Sequence, residues 1–267
     1  MKKQYLLPLT AILGSVAAFA LRFLQNRTGF EATTGLPIPG NFAGLSLIIL
    51  LFVLAAGLLL LSRRLPEGNT IFPTLFSTSD AALLTLPVMG ILLMGVSGAL
   101  ELASIPLGDT IPPHIAGGGL PVMVSISAAT ALLPAIALFP TIAACRLKED
   151  TAPCNIDCQL LLVPPVCLVV RLVLTYRAVS IHPSLETYYV ELLALIFLTL
   201  GFYRLASIAF QGNRLRQFSF YTGLAVILSI TTLADGGQIS SLLLYGGAAL
   251  TLLGFQLLAC THSDEPA

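Results

Sequence analysis

Charge is what this chain has least of. Asp, Glu, Lys and Arg make up 10% of its 267 residues, against roughly 25% in soluble domains, so there is too little polar surface to cover a globule in water. The thirteen basic residues balance the thirteen acidic ones, and no basic stripe or tail is available to hold nucleic acid. Trp is missing altogether, which leaves interfacial anchoring to Tyr and to Lys and Arg. His114, His182 and His262 stand far apart, and there is no H-E-x-x-H, no G-x-S-x-G elbow and no phosphate-binding loop. No motif therefore asks for a cofactor or a metal, and nothing points to an enzyme. The five cysteines are odd in number and lack framework spacing. Cys154 and Cys158 are spaced i and i+4, close to Cys145, and two such thiolates could share a metal; without a second pair or a nearby His, incidental thiols are expected.

Apolar length is what the chain has in excess. Hydrophobic residues reach 56% and the mean hydropathy is +0.92. A spanning helix needs about 20 mainly apolar residues. Segments of that kind occur near 5–24, 42–62, 82–104, 120–144, 157–176, 187–209, 218–235 and 239–260. The runs are continuous, whereas barrel strands would alternate polar and apolar residues, so helices are predicted. The fold class expected is all-α: a polytopic bundle of eight transmembrane helices forming one domain over 1–260, with a short polar tail at 261–267.

Loop charge sets the orientation. With the N-terminus inside, nine Lys and Arg fall on the inner side (Lys2, Lys3, Arg63, Arg64, Arg146, Lys148, Arg204, Arg214 and Arg216) and four on the outer side (Arg22, Arg27, Arg171 and Arg177). This asymmetry places both termini in the cytoplasm and the chain in a bacterial inner membrane. Lys2-Lys3, the apolar run and Ala18-Phe19-Ala20 also have the outline of a cleavable signal. The run is long for that role, so an uncleaved first helix is expected. The inner loop 63–81 could lie along the headgroups, although its apolar residues are few. Gly14-x-x-x-Ala18 and Gly40-x-x-x-Gly44 fit close helix packing.

Deep charge gathers in the hairpin from Cys158 to Arg204. Its turn centres near Ile181, and Arg171 and Glu191 each lie ten residues away, which in antiparallel helices would put them at one depth. Arg177 and Glu186 match in the same way near the rim. Two ion pairs locking neighbouring helices are the expectation, with a solute-facing role as the alternative, because charge at bilayer depth is costly and tends to mark function. Pro164-Pro165 stands near the middle of its segment and predicts a kink or break where freed backbone groups could bind a ligand. A half-helix N-terminus aimed at Arg171 would favour an anion. Tyr176, Tyr188 and Tyr189 flank the turn as an aromatic belt. Among the other outer-side groups (Glu31, Asp109, His114, His182 and Asp235 included), Arg22 and Glu101 stand out because they adjoin apolar helix.

The outer loop TGFEATTGLPIPGN and the hairpin RLVLTYRAVSIHPSLETYYVELLAL together resemble an uncharacterised group of bacterial multi-pass membrane proteins. The resemblance implies the polytopic fold over most of the chain and carries no activity. Three functional classes follow from the residues, the last and least favoured being a membrane-embedded enzyme with a nucleophile and a base converging in one cavity. One is a carrier or permease for a small, anionic solute, with Arg171, Glu191, Pro164, Pro165, Tyr176, Arg22 and Glu101 around a site open to the outer face. Another is a non-catalytic sensor or scaffold that acts through an unidentified membrane partner or a second copy of the chain.

Overall fold

Inside a bilayer the backbone has no water to bind, so long apolar runs close their hydrogen bonds internally as helices. The computed structural model describes residues 5–31, 38, 40–65, 72–78, 80–107, 121–146, 158–180, 188–210, 212 and 214–262. The described residues form α1 (Leu6–Thr28), α2 (Phe42–Ser62), α3 (Phe72–Phe76), α4 (Ala81–Leu107), α5 (Pro121–Ala144), α6 (Val163–Val179), α7 (Tyr189–Ala209), α8 (Leu215–Thr232) and α9 (Ile239–His262). All but α3 are long and apolar enough to cross a membrane, giving eight spans among the described residues. The protein is an all-α, multi-pass integral membrane protein in contact with the bilayer.

Local chemistry sets several boundaries. Asn41 caps α2, its side chain accepting from the Ala43 amide at 2.8 Å, which satisfies one of the donors a helix start leaves open. Gly236 follows α8 with φ of 62°, a left-handed conformation that glycine adopts without strain. It turns the chain directly into α9.

Six of the spans form a closed ring. Each of α4, α5, α6, α7, α8 and α9 packs on the next, and α9 returns to pack on α4. Fully buried apolar side chains from all six, such as Met94, Leu138, Leu168, Leu198, Ile227 and Leu252, fill the core. Outside the ring, α1 rests on α8, and α2 lies against α1 and α8. Alternating spans sort the helix ends onto two faces. The distal face carries the C-terminal ends of α1, α4, α6 and α8 and the N-terminal ends of α2, α5, α7 and α9. The proximal face carries the others.

On the proximal face, part of the 63–81 segment packs against the helix ends. Phe72, Leu75 and Phe76 of α3 are buried. The Phe76 ring meets Phe218 and Phe255 edge-on at 6.0 and 5.5 Å. These three apolar side chains are few, but they are spaced to lie on one side of a single helical turn, and burying them outweighs spreading them over headgroups. The Thr78 amide then donates to the Cys145 carbonyl at 2.9 Å, tying this segment to the end of α5.

The tightest seam is α4 on α9. A Cβ on Gly247 would stand 2.6 Å from the Gly90 carbonyl oxygen, and one on Gly90 would stand 2.5 Å from that of Gly247. The two backbones touch because neither residue has a side chain, as small-residue contacts in membranes require. Gly246 beside it has open space. Gly247→Ala is therefore expected to lower stability by about 1–3 kcal/mol through overpacking, while Gly246→Ala is neutral or mildly stabilising. Thermal unfolding in detergent checks the contrast.

Candidate functional site

The buried charges collect in one layer toward the distal face. Arg171 sits mid-helix in α6, eight residues before its end at Val179, or about 12 Å down. Its side chain is buried and pairs with Glu101 of α4, which is equally buried. The contact is a two-pronged fork: Nη2 donates to Oε1 at 2.7 Å and Nη1 to Oε2 at 3.1 Å. Ser127 of α5 completes the cluster, its hydroxyl donating to Glu101 Oε2 at 2.7 Å and accepting from Arg171 Nη1 at 3.0 Å. A planar guanidinium facing a carboxylate in this way is the strongest common ion-pair geometry. One cluster thus joins three consecutive helices of the ring.

The expected Arg171–Glu191 pair does not form. The interval between α6 and α7 is centred on residue 184 rather than 181. Arg171 consequently lies thirteen residues before that centre and Glu191 seven after it. Arg171 is deeper by roughly two helical turns, about 9 Å, and takes its partner from across the ring.

Glu191 falls in the first turn of α7 and is half-buried. A carboxylate there is favoured by the helix dipole. It accepts a hydrogen bond of 2.8 Å from the Tyr245 hydroxyl of α9, and Arg171 and Asp235 lie within electrostatic range. Tyr188, just before α7, has its phenol pushed above the usual value, first by burial and then by Glu191 and Asp235.

A second ion pair borders the layer. Arg22 of α1 is fully buried, and its Nε donates to Asp235 Oδ1 at 2.6 Å. Asn26 Nδ2 donates to the same oxygen at 2.9 Å. Arg22 Nη1 donates to Gln25 Oε1 at 3.0 Å, and the guanidinium lies 5.4 Å from the Tyr189 ring centroid, within cation–π range.

The remaining candidates separate from this layer. Pro164 and Pro165 are buried in the first turn of α6, after a 3-10 turn over Leu160–Leu162. Their missing N–H groups cost nothing there, since first-turn donors have no partner within the helix. They form no mid-membrane break, and they sit at the proximal end, away from the distal charge. Tyr176 points outward, 58% exposed, and Arg177 is exposed. Glu186, Asp109, His114, His182 and Cys154 lie outside the described residues. Cys158 Sγ donates to the Ala209 carbonyl at 3.3 Å. Among the described residues, no three His, Cys, Asp or Glu come together as a metal site.

The sequence reading missed Ser127 and Tyr245. Serine is too common in spanning helices to stand out, but Tyr245 is an aromatic hydroxyl inside an apolar segment, and buried Tyr hydroxyls usually find a partner. Arg22 and Arg171 are each neutralised by a carboxylate, and counting Glu101, Glu191 and Asp235 against them leaves one acid in excess.

Comparison with protein-family models, curated proteins and solved structures finds no match to this chain.

Glu101→Gln would leave Arg171 charged, buried and unmatched, so stability should fall by about 3–5 kcal/mol. Glu191→Gln keeps a hydrogen-bond acceptor for Tyr245 and should cost at most about 1 kcal/mol. Chemical unfolding of both variants in detergent measures the difference.

Proposed function

We propose that the protein is a small-solute carrier of a bacterial cytoplasmic membrane, a member of the multi-pass group it resembles, with its distal face outside. The solute enters from the distal face beside Glu191, and the Arg171, Glu101 and Ser127 cluster with the packed core below it is the barrier that rearranges for passage. Half-buried Glu191, held by Tyr245 above that barrier, is the single observation that carries this reading: a carboxylate in the first turn of a spanning helix whose hydrogen-bond partner is a neutral hydroxyl fits a solute or proton ligand rather than a structural ion pair. With the arginines already matched, the solute is a cation or a neutral hydrogen-bonding molecule, not an anion. The excess of Lys and Arg in the proximal segments supports the orientation.

The alternative is a rigid sensor or scaffold subunit that works through a membrane partner or a second copy. The buried, fully matched Arg171 cluster favours it, because such a cluster holds three helices in one arrangement.

Cysteine substitutions in a cysteine-free background, probed with a membrane-impermeant thiol reagent, separate the two. For a carrier, cysteine at Glu191 reacts from the distal side, and cysteine at Leu168, below the Arg171 cluster, reacts from the proximal side. If Leu168→Cys is protected from both sides while Glu191→Cys still reacts, the scaffold reading stands and the carrier fails.

A further inference from the structure

The peripheral position of α2 leaves a groove in the wall of the protein. α2 and α7 both flank α8 without packing closely on each other. Between them lies a cavity of about 850 Å³, large enough for an extended small ligand. Leu224 and Leu228 of α8 form its floor, Leu51, Phe52 and Ala55 of α2 one wall, and Leu193 and Phe197 of α7 the other. The α2 rim is open to the bilayer, with Leu45 60% and Phe52 74% exposed.

The groove is chemically polarised along its length. Its shaft is aliphatic and aromatic, whereas its distal mouth adds Gln25, Asn41, Tyr189 and the glycines 29, 40 and 44 to the apolar Phe30 and Ile38. Gly40 and Gly44 both line this mouth, Gly44 on the side where α2 meets α1. A Cβ on Gly44 would come 3.0 Å from Gln25 Nε2, so the missing side chain leaves room for that amide. Arg22 fixes the orientation: by donating to Gln25 Oε1 it leaves the Gln25 NH2 group as the end beside Gly44 and the mouth. The Tyr189 hydroxyl is buried beside Gln25 and Arg22, so it is withdrawn from the groove. The mouth thus offers the Gln25 amide as a donor with little net charge, because Arg22 is already matched by Asp235.

Length identifies the occupant. From Leu45 to Ala55 the shaft follows ten residues of α2, about 15 Å at 1.5 Å per residue. One leaflet is half of a roughly 30 Å hydrocarbon core, so the shaft takes a whole acyl chain entering from the distal interface. We infer that this groove is a lipid site: one acyl chain of a distal-leaflet lipid lies over Leu224 and Leu228, with an uncharged ester oxygen accepting from Gln25. The site is separate from the Glu191 layer and does not depend on the carrier reading.

The test uses the full-length protein in bilayers containing phosphatidylcholine with a photoreactive diazirine in the middle of one acyl chain, and labelled positions are mapped by mass spectrometry. Leu224 and Leu228 are buried under the groove, so only an inserted chain reaches them. Labelling of these residues well above that of buried Leu252, and comparable to that of exposed Phe139 on α5, is expected. Ala55→Trp fills the shaft and should abolish floor labelling while leaving Phe139 unchanged. A diazirine alkane without a head group tests the polar end. Phosphatidylcholine should label the floor about fivefold better, the net worth of one hydrogen bond, and Gln25→Leu should erase that advantage. A floor labelled no more than Leu252 overturns the site, and this outcome needs no variant to fold. Equal labelling by alkane and phospholipid in the wild-type protein overturns the ester-anchoring assignment.

Discussion

A guanidinium placed twelve ångströms down a membrane helix must be neutralised by something, and most of the ring's distal half is arranged around how Arg171 is. Isolated, it would cost several kcal/mol to insert. A single carboxylate facing it with good fork geometry, plus one hydroxyl to fill the remaining lone pairs, offsets that cost. Glu101 and Ser127 supply these groups from α4 and α5, and their positions require α4, α5 and α6 to follow one another around the ring. The Gly90–Gly247 seam closes α9 onto the same α4. Apolar length dictates that the chain is helical; the buried pair and the glycine seam determine which helices become neighbours.

The fold was legible in the sequence to the extent that bilayer physics is one-dimensional. Each of the eight apolar runs corresponds to a span, with ends shifted by a few residues. What sequence spacing could not supply was the partner of a buried charge. Symmetric counting about Ile181 assumed that α6 and α7 end at equal distances from the turn, but α6 continues to Val179 and α7 starts only at Tyr189. That small asymmetry separates Arg171 from Glu191 by two turns. Glu101, seventy residues earlier, was visible as an anomalous acid, but nothing local links it to Arg171. Pro164-Pro165 misled for a related reason: prolines break a helix only when turns precede them, and here the helix begins at them.

The arrangement also divides the molecule into a stiff part and a looser one. The six-helix ring is held by close backbone contact and a dry ion pair. α1 is fastened to it by Arg22 and Asp235, and α2 is the least buried span of all. The half-exposed acid Glu191 lies where the stiff ring meets its distal mouth. The lipid groove lies where α2 stands away from α7. A solute site and a lipid site on opposite sides of the Arg22–Asp235 pair would each be shaped by it, through Asp235 near Glu191 and through Gln25 at the groove.

The most direct measurement is a charge-reversal rescue. Arg171→Glu places two carboxylates together in the buried cluster and should abolish the folded species seen by gel filtration in detergent. Adding Glu101→Arg restores an opposite pair across the same gap and should recover it in large part, whereas adding Glu191→Arg should not. Rescue by Glu191→Arg and not by Glu101→Arg would contradict the account, because it would make the hairpin, rather than the ring, the unit that neutralises Arg171.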